Sequence, residues 1–532
     1  MRRTLALVIM VVFLSGTAFG WEITNALNAH EAINDAAVTY FFNTFKTDSK
    51  YNRAPVVETP LFDGVAWHSG SEKSITWQNL GFGRSANFRN WVRIGGVDAD
   101  VDSVNSETAA GFTLEKPLRH FYDPVKQPTY LTDLGTLANM KITNPCMDHV
   151  LWANNSNAHS WNFEQGLRMY KAAMELEDGD ALPSWVSWVL NPNGYFIKDG
   201  SPRSNLFAAS FRALGETLHG IGDMCLPAHV RDDSHGGNYF AGGTDPIESN
   251  VGFSGAQKIL SGAIVIPAGV TLEEKTVKEL MIECALFTNK SFFSTDSICD
   301  TRYNITPRTD SGRLYSAPSF SDAGLTVTKI SDGIRTDIFQ ISKNFSNVNG
   351  AVVLAEETLT GFVFAESEYH VPGTASEGQG YVLLPLAAAA GAYAINQFFP
   401  TMSMEIPEAQ QKDGTDNVYV VTAVLAHDYT QDSAYVTSGV GEIRYKGKAS
   451  ILVNGVAVSQ FAMSGGEGTT EVTVANGDKI AVEVSAGART YKSEEKTVSL
   501  THPVSSSRAI RTVLGEPSAL AGFGLPNASL AR

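Results

Sequence analysis

Residues 218–229 read LHGIGDMCLPAH and place three residues of metal-binding type in one short stretch. His219 and Asp223 are four positions apart, so on a helix their side chains lie one turn apart on the same face. Pro227 ends such a helix and turns the chain, which lets His229 reach a second position nearby. A single His/Asp pair on a helix is more often solvated, so the rest of the chain must decide whether this stretch binds metal.

The sequence on both sides of this stretch favours helices. Apolar residues recur at helical spacing over 164–177 and over 205–224. The apolar run 381–399 is borderline in length for a membrane span, but Pro385 and the polar residues near its end favour a buried helix that closes a domain. We therefore expect a mainly α-helical domain over residues 21–400.

The pattern of the C-terminal part is typical of strands. Asn454-Gly455 and Asn476-Gly477 each lie between alternating apolar residues, which is the signal of a two-residue hairpin. We expect a small β-sandwich domain, Ig-like or similar, over 401–502 and a tail over 503–532. The predicted fold is thus multidomain, with a helical domain followed by a small β-sandwich.

The N-terminus has the three parts of an export signal. Arg2-Arg3 are basic, residues 5–14 are apolar but too short to span a bilayer, and Ala18 and Gly20 offer a cleavage site. The alternative is a single membrane anchor. We expect removal of residues 1–20 and a mature chain that is secreted, periplasmic or at the cell surface.

The cysteine content and the net charge limit which kinds of metal site and which partners the chain can have. Cys146, Cys225, Cys284 and Cys299 permit two disulfides in an exported chain, and Cys284–Cys299 is the preferred pair because it is closest in sequence. No C-x-x-C occurs, so a cysteine-based zinc site is not indicated. The net charge of −16 disfavours a general binder of polyanions. Recognition of a phosphate would need local positive charge, such as bound cations.

Two further elements contain histidines in informative positions. Residues 119–124 read RHFYDP. Taken alone, His120 is weak evidence for a metal site, because a His beside aromatic residues is usually a core residue. Cleavage after Gly20 would make Trp21 the first residue, with a free amine that can bind a metal. His30 follows in an early helix.

Together these elements resemble the zinc-dependent bacterial phospholipase C family and its relatives, the fungal zinc nucleases that cleave single-stranded nucleic acid. The resemblance covers residues 21 to about 400 and rests on the Trp after the cleavage site, the His in the first helix, the HFYDP box and the H-x-x-x-D-x-x-x-x-x-H string. It implies an exported phosphodiesterase that hydrolyses phospholipid head groups with a metal-bound hydroxide and up to three Zn²⁺ ions. The alternatives are a single-strand nuclease and a degenerate, zinc-stabilised binding protein.

The resemblance also implies a ligand for each position of a close metal pair. Trp21, through its amino nitrogen and carbonyl oxygen, and His30 would bind one zinc ion. His120 and His219 would bind a second, and Asp223 would bridge or contact the pair.

An acidic residue upstream of the HFYDP box belongs to the same implied set. Asp100 is chosen over Asp98 in the stretch GGVDAD, with an exposed acidic loop as the alternative. Asp100 would bind the metal, or orient or deprotonate the attacking water.

The third implied zinc site departs from the family pattern. His229 and Glu248 match its first ligand and its carboxylate, but Thr244 stands where the family has a His. Asp245 or His235 could substitute, since both residue types bind zinc. An incomplete third site is the alternative.

The implied partners are a phospholipid or another phosphodiester substrate. The β-domain could contact a membrane, as in toxin-like members of the family, or a cell surface. Nucleic acid is a partner only under the nuclease alternative.

Overall fold

The computed structural model describes residues 29–45, 56–64, 85–101, 118–132, 147–155, 159, 161–177, 179–185, 201–233, 246–294, 297–298, 307–308, 319–320, 324–330, 338–360 and 366–500. Its helices are α1 Ala29–Phe45, α2 Phe88–Val101, α3 His149–Ala153, α4 Phe163–Glu175, α5 Pro202–Asp223, α6 Pro246–Leu260, α7 Val277–Ser291, α8 Ser376–Phe398 and α9 Ser433–Thr437. Most of the helical content therefore precedes residue 400.

The strands all pair antiparallel. They are β1 Leu61–Asp63, β2 Ser85–Asn87, β3 Pro307–Arg308, β4 Ser319–Phe320, β5 Leu325–Ile330, β6 Ile338–Asn344, β7 Ala351–Thr360, β8 Glu366–His370, β9 Met402–Gln411, β10 Val418–His427, β11 Gly447–Val453, β12 Val456–Met463, β13 Glu467–Thr473, β14 Lys479–Ala486, β15 Arg489–Lys492 and β16 Lys496–Thr497. Small two-stranded sheets join β1 to β2 and β3 to β4, and β5-β6-β7-β8 form a four-stranded sheet.

The C-terminal strands form two sheets that contact each other. One has the order β13-β10-β9, and the other has the order β12-β11-β14-β15 with β16 beside β14. Strands β14 and β15 contact β9 of the opposite sheet. A helical part followed by a β part agrees with the expected fold class. The exact domain boundaries stay a prediction, although α8 ends at Phe398 and β9 begins at Met402.

Helix α5 lies at the centre of the helical part and is buried from Asn205 to Asp223. It crosses α2 where Gly95 and Gly215 face each other, and a Cβ built on Gly95 would lie 2.8 Å from Cα of Gly215. Asn34 of α1 donates through Nδ2 to the Val92 carbonyl at 2.9 Å and to the Gly215 carbonyl at 3.0 Å. Small residues and one buried amide thus hold α1, α2 and α5 together at close range.

The closing helix predicted over 381–399 is present as α8. This helix is long and apolar enough to cross a membrane, but 83% of its most apolar stretch is buried inside the protein. Its contacts with α1, α6, α7 and α5 explain this burial. The helix therefore belongs to the core, as its polar flanking residues predicted.

The region before residue 400 is mainly helical, as the sequence predicts, but it also contains the sheet β5–β8 within residues 325–370, which the sequence did not indicate. One of the two predicted hairpins is wrong. Asn476-Gly477 does not join a hairpin, because β13 pairs with β10 while β14 pairs with β11. By contrast, Asn454-Gly455 does join the paired strands β11 and β12.

The second correction concerns the preferred disulfide. Cys284 is a free thiol, buried on α7, so it is not paired with Cys299. Cys225, the second residue after α5, is also free and buried. Burial, with a smaller effect of the neighbouring Cys284, raises the pKa of the Cys225 thiol well above its ordinary value. Cys146 and Cys299 lie outside the described residues.

Candidate metal centre

The C-terminal turn of α5 presents the predicted pair of ligands into the protein interior. His219 Nε2 lies 3.4 Å from Asp223 Oδ2, and both side chains are buried. The helix ends at Asp223, because the N–H groups of Cys225 and Leu226 bond three residues back, to the carbonyls of Gly222 and Asp223, instead of four. The stretch of sequence quoted first therefore folds as its spacing predicts.

Three more imidazoles approach the same carboxylate from different elements. His30 on α1 lies 3.3 Å from Asp223 Oδ1 through Nε2, and its ring stacks on that of His219 with centroids 3.6 Å apart. His120 lies 3.2 Å from Asp223 Oδ2 through Nδ1. His229 lies 3.9 Å from Oδ1 through Nδ1, the nitrogen that also bonds to the His120 carbonyl. One ionisable carboxylate is thus surrounded by four imidazoles, all of them buried.

Backbone carbonyls fix the orientation of two of these four rings. His219 Nδ1 bonds to the Gly96 carbonyl at 2.8 Å, and His229 Nδ1 bonds to the His120 carbonyl at 2.9 Å. A carbonyl oxygen only accepts, so each Nδ1 must carry the proton and each Nε2 must present its lone pair. A metal-binding histidine usually has this arrangement, with one ring nitrogen donating to a carbonyl and the other binding the ion.

The donor set fits a zinc centre. His30, His219 and Asp223 each offer one atom within 4.8 Å of the atoms of the other two. Imidazole nitrogens and a carboxylate oxygen are ligands that zinc prefers. Burial raises the pKa of Asp223, but the imidazoles of His219, His229 and His120 that surround the carboxylate lower it, and the net direction is well below the ordinary value.

The HFYDP box has a structural reason for its residue types. The Phe121 ring stacks on His229 with centroids 4.5 Å apart, and the Tyr122 N–H donates to the His229 carbonyl at 2.9 Å. Asp123 accepts from the Val125 N–H at 3.0 Å and from Nδ2 of Asn289 on α7 at 3.4 Å. The box thus joins His120 to the segment that carries His229.

Arg231 fixes the other side of that segment. Its buried guanidinium donates to the carbonyls of Asn289 and Phe292 at 2.7 and 2.9 Å and to Ser297 Oγ at 2.6 Å. These bonds tie the chain just beyond His229 to the end of α7. The position of His229 is therefore set by contacts on both sides of it.

The remaining predicted ligands are not among the residues whose side chains the structure describes. Trp21, His235 and Asp245 lie outside the described residues. Asp100 lies on α2 and Glu248 on α6, but the described side chains do not include theirs. Their roles as ligands stay predictions.

The structure also contains buried histidines near His120 that belong to none of the sequence motifs. His149 on α3 is buried against His120, with ring centroids 5.5 Å apart. Trp152 stacks on His159 at 3.9 Å, and His159 Nε2 lies 3.2 Å from Glu216 of α5. No spacing in the sequence relates these residues to the metal-binding stretch. Only their position among eleven histidines, most of them before residue 236, could have drawn attention to them.

Comparisons with known proteins give little further guidance. No family model matches the chain, and no curated protein matches it. Among solved structures, an alpha toxin from Clostridium absonum is similar at 13% identity, with 89% of this chain and 95% of that chain covered and a TM-score of 0.27. A likeness of this size adds nothing to the description of the site.

Proposed function

We propose that this chain is an exported zinc-dependent phosphodiesterase of the phospholipase C type, which hydrolyses phospholipid head groups. The observation that carries the proposal is the convergence of His30, His120, His219 and His229 on the ionised carboxylate of Asp223. A buried carboxylate is costly unless it is paired or coordinates a metal, and four imidazoles around one carboxylate supply more nitrogen atoms than pairing alone requires.

Bound zinc ions would supply positive charge for the phosphate and acidity for the attacking water. The protein's own contribution is the arrangement of its side chains. Asp223 carries the negative charge at the centre, and the bonds from His219 and His229 to backbone carbonyls hold their Nε2 lone pairs in fixed directions. Under this proposal Asp100 orients the water or accepts its proton, a role implied by the resemblance alone.

Removal of metal is expected to remove the activity. Dialysis against a chelator should lower the hydrolysis of a chromogenic phosphocholine ester on the order of a thousandfold, and added Zn²⁺ should restore it, because the charge and the water activation come from the ions. Magnesium is the control, since its preference for oxygen ligands makes it a poor substitute in a site rich in imidazoles. Full turnover after complete removal of metal would contradict the proposal.

The same preparation separates the alternative functions. Hydrolysis of single-stranded DNA without hydrolysis of the ester would identify a nuclease. Bound zinc without hydrolysis of either substrate would identify a binding protein. Comparing the soluble ester with phospholipid vesicles tests the proposed membrane contact through residues 401–502, because a second attachment point raises the effective concentration only on vesicles.

Export with cleavage between Gly20 and Trp21 is also part of this proposal, because the amine of Trp21 is an implied ligand. We expect N-terminal sequencing of the exported chain to begin at Trp21. A chain that keeps one extra residue before Trp21 should bind less zinc and turn over more slowly. Sequencing that begins elsewhere would remove Trp21 from the metal centre while leaving the other ligands in place.

A further inference from the structure

Asp232 combines a strained backbone with a buried side chain. It follows His229 closely in the sequence, and its φ of +53° lies in the left-handed region, which residues other than glycine rarely adopt. Its side chain is buried. A strained conformation persists only where the surrounding contacts hold it, and such positions concentrate at functional sites. The contacts of this carboxylate therefore indicate what the strain maintains.

The carboxylate of Asp232 binds the loop that follows the HFYDP box, residues 124–132. Its Oδ1 accepts from the Thr132 N–H at 2.6 Å, and its Oδ2 accepts from the Thr132 hydroxyl at 2.8 Å. The ammonium group of Lys126, in the same loop, pairs with Oδ2 and also donates to the Thr132 hydroxyl. Contacts to a charged group are stronger than contacts between neutral groups. One side chain just after His229 thus fixes a loop that lies 100 positions earlier in the chain.

The same two segments are also joined at the metal centre. The Tyr122 N–H donates to the His229 carbonyl at 2.9 Å, and His229 Nδ1 donates to the His120 carbonyl at 2.9 Å. These bonds join the starts of the two segments, whereas Asp232 joins their ends. The segments that carry His120 and His229 are therefore joined twice, and the second junction depends on Asp232.

We propose that Asp232 is a positioning residue of the metal centre, whose carboxylate keeps the segments of His120 and His229 at the separation that metal binding needs. It acts through the backbone of these segments and not as a ligand. Glycine would adopt the same φ without strain, but it offers none of the contacts to Lys126 and Thr132. The side chain thus explains why a strained aspartate stands here. This role rests on the proposed metal centre.

Three substitutions separate positioning by the carboxylate from other roles. Asp232→Gly relieves the strain and removes every contact of the side chain. Asp232→Asn tolerates the left-handed backbone and keeps an acceptor for the Thr132 N–H, but it loses the charge that pairs with Lys126. Lys126→Met removes only the ion pair. The loss of zinc binding should be largest in the Gly variant, because the other two variants keep part of the junction.

The full chain and the three variants are stripped of metal and titrated with Zn²⁺ against a colorimetric chelator, and the visible absorption of their Co²⁺ forms is recorded. We expect Asp232→Gly to bind at least one ion roughly ten- to a hundredfold more weakly, with a changed Co²⁺ spectrum. Glu274→Gly is the matched control. It relieves a left-handed φ of +60° at an exposed residue outside both segments, and we expect wild-type zinc affinity and an unchanged spectrum.

The outcomes are distinguishable from failure of the proposed function. If the wild type binds no zinc, the metal centre itself is wrong. If the wild type binds zinc and Asp232→Gly binds it equally well with the same Co²⁺ spectrum, the centre stands and Asp232 does not position it.

Two further results would also overturn the role of Asp232. Equal losses in Asp232→Asn and Asp232→Gly, with wild-type binding by Lys126→Met, would indicate a direct ligand instead. If Asp232→Gly does not fold, wild-type zinc affinity and Co²⁺ spectra in both Asp232→Asn and Lys126→Met would show that the junction does not matter for metal binding.

Discussion

Asp223→Asn is expected to lower kcat/KM on the order of a thousandfold or more and to remove bound zinc at the same time. The substitution replaces an ionised carboxylate by a neutral amide at the point where four imidazoles converge. An amide keeps the size of the side chain but not its charge, and it is a far weaker zinc ligand. Phosphodiester turnover and zinc content, measured on the same sample, check the result.

Asp432→Asn is the matched control. Asp432 is also a buried aspartate that pairs with a histidine, since its Oδ2 lies 2.8 Å from Nε2 of His427 in the β part. We expect this variant to lose stability but to keep its zinc. Near-wild-type turnover and full zinc in Asp223→Asn would show that Asp223 is not the centre of the site.

A chain that ends at residue 400 is expected to unfold at a much lower urea concentration than the full chain. The sequence suggests a catalytic domain that stands alone, but the helical and β parts share a hydrophobic core. Tyr170 Oη donates to the Gly487 carbonyl at 3.1 Å, and Tyr435 Oη donates to the Phe398 carbonyl at 3.0 Å. The buried guanidinium of Arg489 donates to the Pro400 carbonyl at 2.7 Å.

Removal of the β part would expose aromatic side chains that are buried in the full chain, including Tyr170, Phe398 and Phe399. Each fully buried side chain of this size contributes about 1.5–3 kcal/mol, so the combined loss is comparable to the stability of a typical domain. Urea unfolding and zinc content are measured on both chains. A chain lacking only residues 503–532 is the control and should behave as the full chain. Equal unfolding midpoints for the chain ending at 400 and the full chain would show that the helical part folds alone.

The sequence predicted the elements whose signals are local. The helices over 164–177 and 205–224 are present as α4 and α5, and the hairpin at Asn454-Gly455 is present as β11–β12. Helical periodicity and a two-residue turn are set by residues only a few positions apart. For the same reason the spacing of His219 and Asp223 was enough to place both on one helix face.

The wrong predictions concern contacts between residues that are distant in the sequence. The Asn476-Gly477 dipeptide correctly predicts a turn, since Gly477 has φ +89°. It does not determine which strands pair. Strand β13 pairs instead with β10, more than forty residues earlier. The sheet β5–β8 was not predicted, because its region was assigned from the helical patterns on either side of it.

His149 shows the same limit at the candidate site. It is brought to the metal-binding end of α5 by the path of the chain through Arg119 and Phe121, which no spacing encodes. The sequence therefore predicted which residue types gather around Asp223, but not that His149 packs against His120.

The most direct measurement of the central claim is the metal content of the purified, exported chain by inductively coupled plasma mass spectrometry. We predict roughly two or more zinc ions per chain, because a close pair is needed to clamp and cleave a phosphate ester. Asp223→Asn measured beside it should retain well under half of that content. A wild-type chain that is folded and yet carries no zinc after incubation with Zn²⁺ would contradict the account.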